Sequence, residues 1–376
     1  QQPMTLPIRR ILGFLRRETV LCVAVVLAIA SAFVVPPSAD YLGYIDWDTL
    51  ALLFSLMAVM KGYQQIGIFA RLSDALLQRV ATTRGMMMVL VFLPFFLSMV
   101  VTNDVSLITF VPFALVVLRM AGWEQLIVPT VILQTIAANL GSMLTPMGNP
   151  QNLYLYAQSG MGFDELVMLT LPYVAVSGVA LAVVIGVGLR HPKPVQGVSV
   201  DVHICRRRSL VGCTGGFVLC LLAIFGLVPP WAIAALAAVT LLVVNRRVLA
   251  SVDYSLLATF VAFFIFIGNM GNIGPFRDLL AVMLEGRVQI VSVLASQVVS
   301  NVPAALLLSG FTDDWSGLIV GCNLGGLGTL IASMASLISY KMVAREYPQR
   351  RGRYLLWFTI ANVALLALLL MISAVL

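Results

Sequence analysis

Eleven apolar segments separated by short charged loops dominate this sequence: residues 20–36, 49–64, 85–118, 124–158, 165–189, 209–227, 230–245, 254–268, 288–309, 315–340 and 354–376. A helix needs roughly 20 apolar residues to cross the ~30 Å hydrocarbon core of a bilayer. Segments this numerous cannot all be hidden inside one water-soluble globule. Composition agrees: 60% of the 376 residues are hydrophobic and 10% charged, against roughly 45–50% and about 25% in soluble domains. A cytosolic enzyme, a secreted disulfide scaffold and a disordered chain are excluded. Despite a net charge of +7, no nucleic-acid partner is expected. In lipid the backbone must satisfy itself, so the expected fold is an all-α polytopic membrane protein with the bilayer as its partner.

The basic residues orient the segments. Arg9, Arg10, Arg16 and Arg17 precede the first span, which places the N-terminus in the cytoplasm. Alternation then gathers Arg71, Arg79, Arg84, Arg119, Arg206 to Arg208, Arg246, Arg247 and the group from Lys341 to Arg353 on the inner side. The outer loops carry Asp40, Asp46, Asp48, Asp164, Glu165, Asp313 and Asp314. The expected topology is N-in and C-out, with about nine full spans. Lys61 reads as a snorkelling helix-end lysine. Cys22, Cys205, Cys213, Cys220 and Cys322 lack metal-ligand spacing and read as small packing residues.

The chain repeats itself. Residues 45–69 and 252–276 align without a gap, matching Asp46, Ile66, Gly67 and Phe69 to Asp253, Ile273, Gly274 and Phe276. Val100-Val101-Thr102-Asn103 then matches Val298-Val299-Ser300-Asn301, Asn139-Leu140-Gly141 matches Asn323-Leu324-Gly325, and Thr145 matches Thr329. Three ordered matches imply two homologous halves. The charges place the halves upside down, as in many secondary transporters. The expected organisation is an N-terminal repeat over 1–189, a cytoplasmic loop with a linking span over 190–229, and an inverted C-terminal repeat over 230–376.

Four segments are interrupted. Segments 85–118 and 288–309 read as re-entrant hairpins with polar tips at Thr102-Asn103-Asp104 and Ser300-Asn301. Segments 124–158 and 315–340 read as discontinuous helices. Pro146, Gly148 and Pro150 break the first, and Gly325, Gly326 and Gly328 the second. Broken backbone at membrane depth is tolerated only where protein or a wet cavity surrounds it, so four paired breaks point to one central site. Half-helix N-termini there favour an anion, while freed carbonyls and Asn, Ser and Thr oxygens suit Na⁺. The candidate ligands are Asn103, Asn301, Thr145, Asn149 and Asn152, with Thr329, Ser333 and Ser336 behind them. Asp104 is the one carboxylate placed within the membrane. It reads as a proton or Na⁺ site, as the cap of the half-helix that follows, or as both. Asn103, Asp104 and Asn301 together form a candidate Na⁺ site. Residues 66–80 and 275–285 read as interfacial amphipathic helices.

The stretches VTNDVSLITFVPFAL, NLGSMLTPMGNPQNLYL and SQVVSNVPAALLL resemble the ion transporter superfamily. That group holds ArsB-type arsenite permeases, NhaD-type Na⁺/H⁺ antiporters, citrate transporters and divalent-anion/sodium symporters. The resemblance implies a homodimer, an elevator-like movement of a core, and site roles for Thr102, Asn103, Asp104, Thr145, Gly148, Asn149, Asn152, Ser300, Asn301, Thr329 and Ser333. The dicarboxylate branch carries Ser-Asn-Thr at both tips. Thr-Asn-Asp and Ser-Asn-Val stand here, and the added negative charge counts against a dicarboxylate.

The resulting expectation is a secondary active transporter in the cytoplasmic membrane of a prokaryote. Its cargo is a small anion, an oxyanion or carboxylate, coupled to H⁺ or Na⁺; no other cofactor is expected. A Na⁺/H⁺ antiporter without an anion and, more remotely, a channel are the alternatives. An HExxH motif is absent and neither His191 nor His203 lies in a span, so enzymatic activity is not expected.

Overall fold

The computed structural model describes residues 6–203 and 206–376, so Cys205 lies outside the described residues. Helices α1 (Leu6–Arg17), α2 (Thr19–Val34), α3 (Asp40–Tyr44), α4 (Trp47–Ile66) and α5 (Ile68–Leu77) open the chain. Next come α6 (Thr83–Leu97), α7 (Asn103–Met120), α8 (Ile127–Gly141), α9 (Pro150–Ser159) and α10 (Phe163–Gly188). After the loop follow α11 (Arg207–Ile224), α12 (Pro230–Val244), α13 (Arg246–Ser251), α14 (Tyr254–Gly271) and α15 (Gly274–Leu284). The chain closes with α16 (Val288–Val299), α17 (Asn301–Ser309), α18 (Trp315–Leu324), α19 (Met334–Glu346) and α20 (Arg351–Ser373). There is no strand among the described residues. Six helical stretches are long and apolar enough to cross a membrane, or up to 9 if each sharply bent helix pair counts as one span. The chain is an all-α polytopic membrane protein.

The repeat survives in local structure. Asp46 accepts from the Thr49 backbone N–H at 3.1 Å and starts α4; Asp253 accepts from that of Leu256 at 3.0 Å and starts α14. These caps explain why an aspartate opens both matched stretches. The far ends differ. Gly67 takes a left-handed φ of 77° and turns the chain through 50° into α5. The matched Gly274 is simply the first residue of α15, so that identity marks ancestry without shared geometry. Helices α5 and α15 fall on the two stretches read as amphipathic. The N-terminal arginines lie on α1, which meets α2 at 94° with Ile11, Leu12, Phe14 and Leu15 exposed.

The halves interleave. Helix α2 packs most extensively on α14, and α12 packs on α4, so each half lends its first span to the second span of the other. Helix α8 is the buried axis of the remainder, covered by α6, α7, α10, α19 and α20. Pro94 in α6 leaves the Leu90 carbonyl without its helical donor; Gln134 of α8 donates to it at 2.8 Å. The apolar interior forms two clusters, one around α4, α14 and α17 and one around α6 to α8 and α20. Cys220 and Cys322 are buried within the first, as their reading as packing residues requires.

Both expected hairpins are pairs of helices broken at the polar tips. Helices α16 and α17 pack on one another and on α18. With 12 and 9 residues, they reach only about 18 and 14 Å, short of a ~30 Å crossing. The first pair is longer, and α7 alone meets the length and hydropathy of a span. Loop 190–203 straps this pair to α5. The Thr83 N–H donates to the Lys193 carbonyl, the Val195 N–H to that of Ala81, and the Val200 N–H to the Asp74 carboxylate at 2.7 Å.

Candidate functional site

The four breaks meet. Asn139 lies in the last turn of α8 and Asn323 in that of α18, and each faces the broken helix of the opposite half. Asn149 Nδ2 donates to Asn323 Oδ1 at 3.0 Å, and Asn323 Nδ2 donates to Asn152 Oδ1. In mirror fashion, Ser333 Oγ donates to Asn139 Oδ1 at 3.1 Å, and Asn139 Nδ2 donates to Ser336 Oγ at 3.4 Å. The same sequence spacing separates Asn139 from Asn323, Asn149 from Ser333 and Asn152 from Ser336. The bonds are therefore one arrangement made twice, each time across the halves. All six side chains are buried.

The hairpins join this cluster by a second duplicated set. Thr145 Oγ1 donates to the Met99 carbonyl, and Thr329 Oγ1 to the Gln297 carbonyl at 3.1 Å. A Cβ on Gly141 would fall 2.6 Å from Ser98 Oγ, and one on Gly325 would fall 2.5 Å from Ser296 Oγ. These glycines allow each hairpin to touch the broken helix of its own half. Gly148 serves the same end inside the first break, where a Cβ would strike the Ser142 carbonyl at 2.0 Å.

Asn103 Nδ2 donates to Asn139 Oδ1 at 3.3 Å. Asn301 sits at the equivalent tip, its Nδ2 3.0 Å from where a Cβ on Gly326 would stand, beside Asn323 and Ser333. Asn103 thus bonds into the cluster, and Asn301 approaches the Gly326 backbone of the second break. The Asn301 amide is 5% exposed and makes no hydrogen bond among the described residues. Ser300, just before it, holds φ 76° and ψ 156°, a conformation nearly reserved for glycine. Its hydroxyl donates to the Ala332 carbonyl at 3.3 Å. Thr102 is buried at the matching position, with ordinary φ.

Four helices, α7, α9, α17 and α19, begin at the cluster. Only α9 has a side-chain cap, from Asn149 to the Asn152 N–H at 2.9 Å. Elsewhere in the chain Asp46, Thr82, Asn245, Asp253 and Asp314 cap their helices. Helices α17 and α19 present first-turn N–H groups without that cover, and in α7 the Asp104 N–H alone is covered, by Asn103 Oδ1.

Two expectations are corrected. Asp104 does not cap α7: it is the second residue of that helix, Thr102 holds the cap position, and the Asp104 carboxylate accepts no hydrogen bond among the described residues. Its N–H donates to Asn103 Oδ1 at 2.9 Å. Thr329, grouped with the cluster by sequence, is exposed; its hydroxyl and N–H are taken by Gln297, which fixes the backbone of the second break.

Sequence reasoning missed Gln297. Its Nε2 donates to the Gly325 and Leu327 carbonyls at 2.9 and 2.8 Å, and its Oε1 accepts from the Thr329 N–H at 2.8 Å. It supplies from the hairpin what the proline-rich run supplies in the first break. Asn139 and Asn323 were visible as a repeat pair, and that pairing was the signal for their place at the centre.

The sequence matches known proteins over most of its length. The citrate transporter family matches residues 8–313. An uncharacterized transporter of Methanocaldococcus jannaschii, MJ0456, is 31% identical over 317 residues, covering 83% of this chain and 85% of its own length. The inner membrane protein YbiR of Escherichia coli is 29% identical over 354 residues, covering 92% and 94%. A putative transporter arsB of Dictyostelium discoideum is 29% identical over 119 residues, covering 32% of this chain and 21% of its own. Extended over most of the sequence and consistent with paired broken helices around one polar centre, these matches show that the chain belongs to the citrate transporter family and is a membrane transporter.

Proposed function

We propose that this chain is a secondary active transporter carrying a small anion, coupled to H⁺ or Na⁺, in the cytoplasmic membrane of a prokaryote. The observation that carries the reading is the Asn301 amide, without a hydrogen-bond partner among the described residues, beside the starts of α17 and α19, which have no side-chain cap. An amide with no protein partner is open to a ligand, and uncapped helix starts favour a negative charge. A bound oxyanion or carboxylate satisfies both. The Asn103 and Asn301 amides orient it, and the α17 and α19 N–H groups neutralise it. Thr102, Ser300, Ser333 and Asn149 shape the backbone around it, and Gly148 lets the first break fold closely against Ser142.

Asp104 supplies the coupling. An anion entering beside an unpaired carboxylate is repelled unless a proton or a Na⁺ arrives with it. Asn103, Asp104 and Asn301 provide oxygens for such a cation. Coupled binding of this kind gives accumulation once the site alternates between the two faces. The bends at α4–α5 and α15–α16, 50° and 111°, suit arms between a fixed frame and a moving core, in a homodimer working as an elevator. The inner-membrane assignment draws on the E. coli relative YbiR, an inner membrane protein.

Asp104 also favours a second reading, a Na⁺/H⁺ antiporter needing no anion. Purified protein in proteoliposomes separates the two. A panel of oxyanions and carboxylates, with imposed pH and Na⁺ gradients, is expected to yield one anion that is accumulated. Asp104→Asn is expected to keep anion exchange but lose gradient-driven accumulation. Na⁺-dependent proton flux with no anion present, and no accumulated anion, overturns the proposal in favour of the antiporter; single-channel currents overturn both.

A further inference from the structure

A cavity of about 500 Å³ lies apart from the amide cluster, between α4, α11 and α12. That volume is within the roughly 300–1,000 Å³ of small-molecule sites. Its glycines divide into two kinds. A Cβ on Gly62 would fall 2.6 Å from Cys213 Sγ, and one on Gly216 would fall 3.0 Å from Val59, so these two let α4 and α11 approach. Gly212 and Gly215 also line the cavity, but a Cβ on either would meet nothing within 4 Å. Mid-helix glycine costs roughly 1 kcal/mol against alanine, and close packing does not account for these two. They leave volume open.

The charged and amide side chains of the cavity lie at one end. Gln65 near the end of α4, Arg208 at the start of α11 and Asn245 at the end of α12 meet there, with Asn245 Nδ2 donating to Gln65 Oε1 at 3.3 Å. Arg206, Arg207, Arg246 and Arg247 flank this end in sequence, and no Asp or Glu occurs between Asp201 and Asp253. Among the described residues none of the five guanidinium groups has a carboxylate partner. By the excess of basic residues this is the cytoplasmic end, where leaflets carry anionic headgroups.

We propose that this cavity binds an anionic phospholipid. An acyl chain fills the apolar space beside Gly212 and Gly215. The headgroup phosphate lies against Arg208, with Gln65 and Asn245 as flanking amides. Charge selects the occupant: an uncharged apolar ligand leaves the guanidinium without a partner, and a free phosphate leaves the apolar volume unfilled.

Native mass spectrometry of the purified full chain, titrated with phosphatidylglycerol or phosphatidylcholine, tests the proposal. Wild type is expected to retain phosphatidylglycerol several-fold better than phosphatidylcholine, and inorganic phosphate is expected not to displace it. Gly215→Leu, which fills the void, should lose the bound lipid. Arg208→Gln should keep lipid but lose the preference between headgroups. Equal retention of both lipids by wild type overturns the proposal without recourse to any variant, as does unchanged retention by a folded Gly215→Leu protein. Displacement by phosphate alone, or conversion of a dimer to a monomer by Gly215→Leu with lipid binding intact, also overturns it; the last outcome assigns the face to a second copy of the chain.

Discussion

Asn139, Asn149, Asn152 and Asn323 each bond to a partner from the other half, which makes single side chains unusually consequential. Asn323 accepts from Asn149 and donates to Asn152. Truncating it leaves the buried Asn152 Oδ1 without a donor, while Asn149 Nδ2 keeps only Ser142; a stranded buried group costs roughly 1–3 kcal/mol. Asn323→Ala is expected to lower the thermal midpoint in detergent. A double-mutant cycle with Asn149→Ala should return a coupling of about 0.5–3 kcal/mol; additive losses would show that the bond contributes nothing. Ser300 makes a different prediction. Its φ of 76° carries strain on the order of 1–3 kcal/mol. Ser300→Gly removes that strain along with one hydroxyl bond at 3.3 Å. The variant should be at least as stable as wild type by thermal melting, yet transport more slowly because the second tip is no longer held in one shape.

Among the elements, the breaks were legible in sequence and their support was not. Pro146, Gly148 and Pro150 announce a discontinuity by what they cannot do, which is continue a helix. The repeat pairs Asn139–Asn323 and Asn103–Asn301 could be read because homology places equivalent residues at equivalent points. The crossing of bonds from Asn139 to Ser333 and from Asn323 to Asn149 depends on how two distant segments pack, and no local pattern encodes it. Gln297 shows this best. A glutamine in an apolar helix has no periodic signature, and its role exists only once α16 lies beside the second break. Gln297→Leu leaves the Gly325 and Leu327 carbonyls without that donor. It is expected to reduce transport at least as strongly as Thr145→Val in the first half, while hydrogen exchange quickens over residues 325–333. Unchanged exchange there would mean the break holds itself.

For the molecule as a whole, the interleaving of α2 with α14 and of α12 with α4 makes the sequence halves poor guides to mechanical bodies. Neither half contains both partners of the bonds that close the centre. A chain divided between residues 203 and 206 should function only when both pieces are made together, with the two co-purifying; either piece alone should fail to accumulate in the membrane fraction. An active isolated half would contradict the exchanged packing. The same exchange bears on how the protein is made. Asn139, Asn149 and Asn152 leave the ribosome long before residues 323 to 336 exist, so the nascent chain waits in the translocon or the lipid with its polar groups unmet. Biogenesis therefore has a late commitment point near the end of synthesis, and prematurely terminated products carry a built-in mark of incompleteness that membrane proteases can recognise.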